Sequence, residues 1–296
     1  MPEISVVIAT KDRSAALGRA LGSLAAQRAA PCFEVVVVDN GSRDATAELT
    51  RERARESPYA LHYRFVAEPN RGAARNAGIA LATGRIVAFI DDDVVLPSGF
   101  LAAHAAAHAR AAGPAAVSGP ILNVPSDAAR PRPSLANYSG AFFCTCNVST
   151  PRAALVAAGT FDERFDLYGW EDTELGLRLR RGGVRRMFAW PAYLYHIKPP
   201  RLETLEVVLQ KTLERAQMAA RLVRKDGGLR TKLATGAYAL NVWRSALLAP
   251  AWSLPRYRML AQDERLPGAL RALARGQYLD GAYRIALRRA LEGEPA

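Results

Sequence analysis

RIVAFIDDD, Arg85 to Asp93, is the stretch on which the fold turns. Five apolar residues, Ile86–Ile90, run without alternation and end in three consecutive aspartates. A short unbroken apolar run bounded by polar residues fits a strand buried on both faces. Three adjacent carboxylates repel one another, and the apolar context of VVLP behind them makes the repulsion worse. The sequence therefore calls for something positive at the end of this strand.

The pattern recurs upstream. ISVVIA (Ile4–Ala9) is a short β-branched run that reads as a strand, FEVVVVD (Phe33–Asp39) has a buried-strand pattern, and LHYRFVA (Leu61–Ala67) reads as a third strand. Between them, Leu17, Leu21 and Leu24 recur at helical spacing up to Arg28, and Asp44–Arg55 reads as a charged surface helix. GAARNAGIALA (Gly72–Ala82) is a helix of small residues able to pack closely. Apolar strands alternating with helices predict an α/β fold, a mostly parallel central sheet flanked by helices. Thr10 and Asp12, Asp39, and Asp91–Asp93 all fall just after strands. Ligands of open α/β sheets bind beyond the carboxyl ends of the strands, so this chemistry lies along one edge.

Further along, Pro120–Pro133 is rich in Pro, Ser, Asp and Asn and reads as a loop. From Leu202 the pattern is helical, interrupted at Gly227-Gly228, Pro250, Pro255 and Pro267. The expected organisation is a catalytic α/β domain over residues 1–200 and a basic helical region over 201–296 packed on it. Half of the 296 residues are hydrophobic and 23% are charged, enough for a real core. The three cysteines, Cys32, Cys144 and Cys146, suggest no disulfide framework, and without a second C-x-C or C-x-x-C they read as small buried thiols. MPEISVVIAT has no basic segment leading into a signal-type apolar core, so a cytoplasmic protein is expected and the Asn147-Val148-Ser149 sequon reads as chance.

Alternate side chains at a strand end share a side, so Asp91 and Asp93 can face one site while Asp92 turns away or binds backbone. Such a D-x-D pair suits a hard divalent cation held by one or two carboxylates and substrate phosphates, and the cation removes the repulsion. A second acidic site lies in YGWEDTELGLRLRRGG. Leu175 and Leu179 stand one helical turn apart and Gly182-Gly183 makes a stop, which puts Glu171 and Asp172 at a helix start. Backbone N–H groups and the helix dipole favour ionised carboxylates there, as a general base needs, although acidic N-capping alone would look the same. Trp170 stands just before them, an aromatic ring able to serve as a flat apolar platform.

In order along the chain, ISVVIATKDR, EVVVVDNGSRDAT, EPNRGAARNAGIALATGRIVAFIDDD and FDERFDLYGWEDTELGLRLRRGG closely resemble family 2 of the nucleotide-sugar glycosyltransferases, of GT-A fold. The resemblance covers roughly residues 3–200. It implies transfer of a sugar from a nucleoside diphosphate, UDP favoured, to an acceptor hydroxyl with inversion. It also implies roles. Ala9, Thr10 and Arg13 would line the nucleobase pocket and Asp39 would contact the base. Arg75 would reach the diphosphate or sugar. Asp91 would contact ribose or metal, Asp92 is counted with the donor-binding residues, and Asp93 would ligate Mn2+ or Mg2+. Asp172 would be the base and Glu171 would bind acceptor with Trp170. A histidine downstream completes the metal site in part of the family. His196 is that candidate here, its other reading being a ring packed among Tyr193, Tyr195 and Ile197. Taken alone, Asp39 with Asn40-Gly41 could simply form a turn, and Arg13 and Arg75 could be surface arginines. His62, His104 and His108 read as structural or exposed.

The net charge of +12 is uneven: residues 201–296 hold 17 Lys/Arg against 9 Asp/Glu, residues 1–200 hold 23 against 19. A basic tail suits a polyanion. Leu233–Leu254 is apolar, but Asn241, Arg244 and Pro250 argue against a spanning helix. It reads as a buried helix, or as an interfacial one with Trp243 and Trp252 at an anionic membrane. Similar enzymes often act on lipid-linked acceptors or build polysaccharides, which favours peripheral association with the membrane's inner face. Competing classes fit less well. A nicotinamide dehydrogenase needs G-x-G-x-x-G after the first strand, and ATKDRSAALG lacks it. A sugar nucleotidyltransferase would show a Gly-rich basic loop near the N-terminus. An inactive scaffold would not keep both acidic sites. Nucleic acid binding rests on arginine content alone.

Overall fold

The computed structural model describes residues 1–198, 203–238, 241 and 250–293. By contact the chain divides into two units, one of Met1–Asp166 with Glu171–Arg201, the other of Leu167–Trp170 with Leu202–Ala296.

In the first unit, β1 (Ile4–Thr10), α1 (Ser14–Ala25), β2 (Phe33–Asp39), α2 (Thr46–Glu56), β3 (Ala60–Phe65), α3 (Arg71–Leu81) and β4 (Ile86–Ile90) follow the expected alternation. Next come β5 (Val94–Val95), α4 (Phe100–Arg110), β6 (Ala115–Ser118), β7 (Ile121–Val124), β8 (Asn147–Pro151), α5 (Arg152–Ala157), α6 (Glu171–Arg181), β9 (Arg185–Phe188) and β10 (Leu194–Ile197). The main sheet has the order β3-β2-β1-β4-β8-β6-β9. All neighbouring pairs are parallel except those of β8, which is antiparallel to β4 and to β6. A small sheet orders β5-β10-β7. This is the mostly parallel, helix-flanked GT-A architecture.

Period-two alternation turns each apolar strand into part of two cores. Ile4, Val6, Ile8, Val35, Val37, Ile86, Ala88 and Ile90 meet Leu17, Leu21 and Leu24 of α1 and Phe100 of α4. Val7, Val36, Val38, Val87 and Phe89 on the opposite face meet Ala74 and Ile79 of α3 and Leu175 and Leu179 of α6. Each such fully buried side chain contributes about 1.5–3 kcal/mol. The small-residue helix α3 lies close because Gly78 permits it: a Cβ there would stand 2.4 Å from Val7 Cγ1. Its start is fixed by Asn70, whose Oδ1 accepts from Ala73 N at 3.0 Å.

Two readings need correction. Pro120–Pro133 is not all loop. Ile121–Val124 forms β7, because the apolar side chains at its start find an edge on Leu194–Ile197 of β10. Pro255 does not interrupt a helix. It sits in the first turn of one, where its missing N–H costs nothing.

The second unit is helical: α7 (Leu205–Lys225), α8 (Leu229–Thr235), α9 (Leu254–Gln262) and α10 (Gly268–Glu292). Its core joins Ala216, Ala219 and Ala220 of α7 to Ala286 and Leu287 of α10. Within the apolar segment 233–254, residues 239, 240 and 242–249, with Trp243 and Arg244 among them, lie outside the described residues. Trp252 is exposed, with the Arg256 guanidinium 5.7 Å from its ring centre. Among the described residues no helix is long and apolar enough to cross a membrane.

Candidate functional site

The ends of β1, β2 and β4 lie side by side, Thr10 opposite Asp39 and Ile8 opposite Ile90. The two loops that leave β1 and β2 are laced together. Asp12 Oδ1 accepts from Arg43 N at 2.6 Å, and Asp44 Oδ2 accepts from Ser14 N at 2.9 Å. Asp39 is buried and forms the expected turn, Oδ1 accepting from Ser42 N at 2.7 Å, while Oδ2 accepts from Tyr63 Oη at 2.8 Å.

The aspartate triplet is relieved in the protein itself. Asp92 turns inward, as the alternation requires. Its Oδ2 accepts from Thr10 Oγ1 at 2.7 Å and its Oδ1 from Arg13 Nη1 at 3.1 Å. The same Arg13 nitrogen donates to Asp93 Oδ2 at 2.8 Å. Sequence reading gave Thr10 and Arg13 to a nucleobase pocket. Here both hold the triplet, and Ala9 packs partly buried against the core. Burial pushes the Asp92 carboxyl up. Burial acts on Asp93 too, but His196 and Arg13 outweigh it and hold that carboxyl below its ordinary value.

Side chains of metal-ligating type lie beside them. One donor atom each from Asp91, Cys146 and His196 falls within 4.8 Å of the other two. His196, on β10, also brings Nε2 to 2.9 Å from Asp93 Oδ1, a buried oxygen that no well-aligned hydrogen bond reaches among the described residues. Two ligands at right angles on an ion with bonds of about 2.1 Å stand about 3 Å apart, so Asp93 Oδ1 and His196 Nε2 have the spacing of ligands. Asp91 and His196 are thus brought together, Asp93 reaches the set through His196, and side chains of these types fit a divalent cation. Cys146 joins them unanticipated.

The second acidic site is where the sequence predicts it. Glu171 and Asp172 open α6, which Gly183 ends at φ +83°. Arg75 Nη1 donates to Glu171 Oε1 at 3.0 Å, with both side chains largely buried, and the guanidinium lies 5.6 Å from the Phe161 ring centre. Glu171 Oε2 is buried with no hydrogen-bond partner among the described residues. Asp172 Oδ1 accepts from Thr173 N at 2.9 Å. Burial, then the Glu171 charge, raises the Asp172 carboxyl from 3.8 to about 6, against the pull of Arg75 and of the Thr145 and Thr173 N–H groups. A carboxyl balanced near 6 is ionised at neutral pH yet still basic. Trp170, at φ +74°, belongs to the second unit, where its Nε1 donates to Arg215 O at 2.9 Å and the Arg215 guanidinium lies 5.6 Å from its ring centre.

The run Cys144–Cys146 connects the two acidic sites, and sequence reading gave it no role. Burial, then Asp172, then more weakly Asp91 lift the Cys144 thiol to about 11, so this residue feels both carboxylates. Cys146, buried at the start of β8, is pushed well up by burial and then by Asp91. Behind it, Asn147 Oδ1 lies 3.1 Å from His104 Nε2, and Ser149 Oγ lies 2.8 Å from both His104 Nδ1 and His108 Nε2. The His104–His108 pair is therefore structural, as expected, and the sequon asparagine is buried.

Comparison with known proteins bears on this arrangement. Validoxylamine A glucosyltransferase of Streptomyces hygroscopicus subsp. limoneus is 32% identical over 228 residues, 62% of this chain and 49% of that protein. Hyaluronan synthase of Pasteurella multocida is 25% identical over 244 residues, 67% of this chain and 25% of that protein. The chain spans about half the length, or less, of these curated relatives. Among solved structures, mannosyltransferase PcManGT of Pyrobaculum calidifontis, in complex with GDP-Man and Mn2+, aligns with a TM-score of 0.67 at 24% identity, covering 98% of this chain and 87% of that one. TarS 1-349 of S. aureus, in complex with UDP-GlcNAc, aligns at 0.57 and 20% identity, covering 99% and 92%. At these identities the structures share the fold. Residues 5–156, a little over half of the chain and the part that carries the aspartate triplet, match the model of Glycosyl transferase family 2, and the chain belongs to that family.

Proposed function

We propose that the protein transfers a sugar from a nucleoside diphosphate sugar, UDP favoured, to an acceptor hydroxyl of a glycan, polysaccharide or lipid-linked saccharide, with inversion. The run Cys144–Cys146 carries this reading, because the Thr145 N–H reaches the Asp172 carboxylate while Cys146 lies with Asp91 and His196 in a set of side chains that could hold a cation. A donor and an acceptor must meet between just such groups.

Asp91, Asp93 and His196 would hold Mn2+ or Mg2+. A cation held there would supply Lewis-acid neutralisation of the charge on a departing diphosphate. The remaining work falls to the chain. Asp172 takes the acceptor proton on its carboxylate as the hydroxyl attacks from the face opposite the leaving group. With one base and no covalent intermediate, a single displacement inverts the anomeric centre. Glu171, whose Oε2 has no hydrogen-bond partner among the described residues, accepts from an acceptor hydroxyl. Arg75 fixes Glu171 and stands ready for the sugar or diphosphate. The laced loops after β1 and β2, with Ala9, Thr10, Arg13 and Asp39, frame the nucleoside.

PcManGT in complex with GDP-Man and Mn2+ and TarS in complex with UDP-GlcNAc support a nucleotide-sugar donor and a divalent cation. A thermal-shift panel of nucleotide sugars with Mn2+ tests the reading, since a true donor stabilises the fold by mass action. One donor should raise the melting temperature only when Mn2+ is present, and Asp93→Ala should weaken that metal-dependent binding in calorimetry. If no nucleotide sugar shifts the melt, the reading fails.

The basic excess of residues 201–296, with exposed Trp252 beside Arg256, supports peripheral attachment to an anionic membrane. Co-sedimentation with anionic liposomes that falls with added salt is expected. No binding at low salt would refute it.

A further inference from the structure

The cation reading rests on oxygen and imidazole donors, as hard ions prefer. Cys146 adds a different kind of atom. Its thiol is buried, and its Sγ is one of three donor atoms within 4.8 Å of one another, the others coming from Asp91 and His196. Opposite ligands on one ion, with bonds of about 2.1 Å to oxygen or nitrogen and about 2.3 Å to sulfur, stand about 4.4 Å apart. The three atoms therefore come close to the size of one coordination sphere without any ion present.

Their positions come from three separate elements. Asp91 follows β4, and Cys146 precedes β8, whose Asn147 pairs with Ile90. His196 lies on β10 opposite Val94, so the small sheet delivers its ring. The buried amide of Asn147 is fixed by Ala192 O at 2.9 Å and by the His104 ring, and Cys144 O accepts from Asn147 N at 3.0 Å. The thiol is thus held by a rigid turn and is no chance visitor to the cluster.

We infer that Cys146 is a ligand of the same cation as Asp91 and His196, and that it tilts this site toward ions that accept sulfur, such as Co2+, Zn2+ and Cd2+, over Mg2+. Soft thiolate and imidazole donors select such metals, while carboxylates alone select hard ones. The sulfur–metal bond forms as the thiol proton passes to solvent. This inference depends on the cation site proposed above, and its test separates the two.

The full chain, stripped by chelator and supplied with UDP, is titrated with Co2+ and followed by absorption. Ligand-field bands report any bound Co2+, and a near-ultraviolet sulfur-to-cobalt charge-transfer band reports thiolate ligation. Both should develop in the wild type. Cys32→Ser/Cys144→Ser, which leaves Cys146 as the last of the three cysteines, should keep both. Cys146→Ser should lose the charge-transfer band, keep the ligand-field bands and bind Cd2+ at least about tenfold more weakly, with Mn2+ affinity changed far less. Ligand-field bands without a charge-transfer band in the wild type overturn the inference and leave the cation site standing, as does a band absent from the double variant. If neither Co2+ nor Mn2+ binds, the cation site falls and the inference with it. The double variant makes the test decisive even if Cys146→Ser does not fold.

Discussion

Replacing Asp172 by Asn should make the protein both inactive and more stable, and the second effect has a calculable pH dependence. Asp172 has its carboxyl raised from 3.8 to about 6, chiefly by burial and the Glu171 charge. The folded state then holds this proton more firmly than the unfolded chain does, so the stabilising contribution is whole below 3.8 and gone once pH passes 6. Ionisation across that interval costs the native state up to about 3 kcal/mol. The side chain keeps some solvent exposure, so an effective range of about 1–3 kcal/mol is expected at pH 8. Asn carries no charge at any pH and avoids the cost. Metal-free Asp172→Asn should therefore melt higher than the wild type at pH 8, with about half that advantage at pH 5. Scanning fluorimetry at the two pH values measures it. Turnover should drop by about 10²–10⁴ through loss of the base, while calorimetry finds donor binding nearly unchanged. A variant that melts with the wild type at pH 8 refutes the claim that this charge is costly. Near-normal turnover refutes the assignment of the base.

Arg75 is one of the groups restraining the Asp172 carboxyl, so Arg75→Ala should move the acidic limb of the pH–rate profile to higher pH, and an unmoved limb would break that link. Burial depresses both His104 and His108 from 6.5 to about 4. The unfolded chain takes up their protons first, so stability is full above 6.5 and is lost as pH falls toward 4, with a slope of up to about 2.7 kcal/mol per pH unit. Urea denaturation at pH 7.0 and 5.5 should show a lower midpoint at the acid value, and His108→Gln should flatten the difference. Gly78→Ala forces a Cβ to 2.4 Å from Val7 Cγ1 and should cost about 1–3 kcal/mol. Adding Val7→Ala should recover part of that loss, and no recovery would mean the clash is not with Val7.

Much of this was legible in the sequence because it follows from pattern. Continuous apolar runs announced β1, β2 and β4, and their ends located the aspartate triplet and Asp39. The spacing of Leu175, Leu179 and Gly183 put Glu171 and Asp172 at the head of α6. Arg13 was harder to place. Nothing local shows that a guanidinium after one strand crosses to carboxylates some 80 residues later, so an arginine does part of the work for which the sequence reading invoked a cation. Cys144–Cys146 was missed for a reason of direction. Looking beyond the carboxyl ends of strands finds what leaves a parallel sheet, and β8 runs the other way. The residues entering it, not those leaving it, stand beside Asp91. Trp170 was read as an open ring because its neighbour Arg215 is 45 residues distant in the chain.

The reversed strand has one more consequence. Thr145 touches the Asp172 carboxylate through its backbone, whereas Cys146 meets Asp91 and His196 through its side chain, one peptide unit later. Removing a residue here would carry a different side chain to Asp91 and His196 and unhook the amide from the carboxylate together. Spacing in this tripeptide is therefore constrained more tightly than composition, and a deletion should abolish both halves of the reaction where a substitution would spare one.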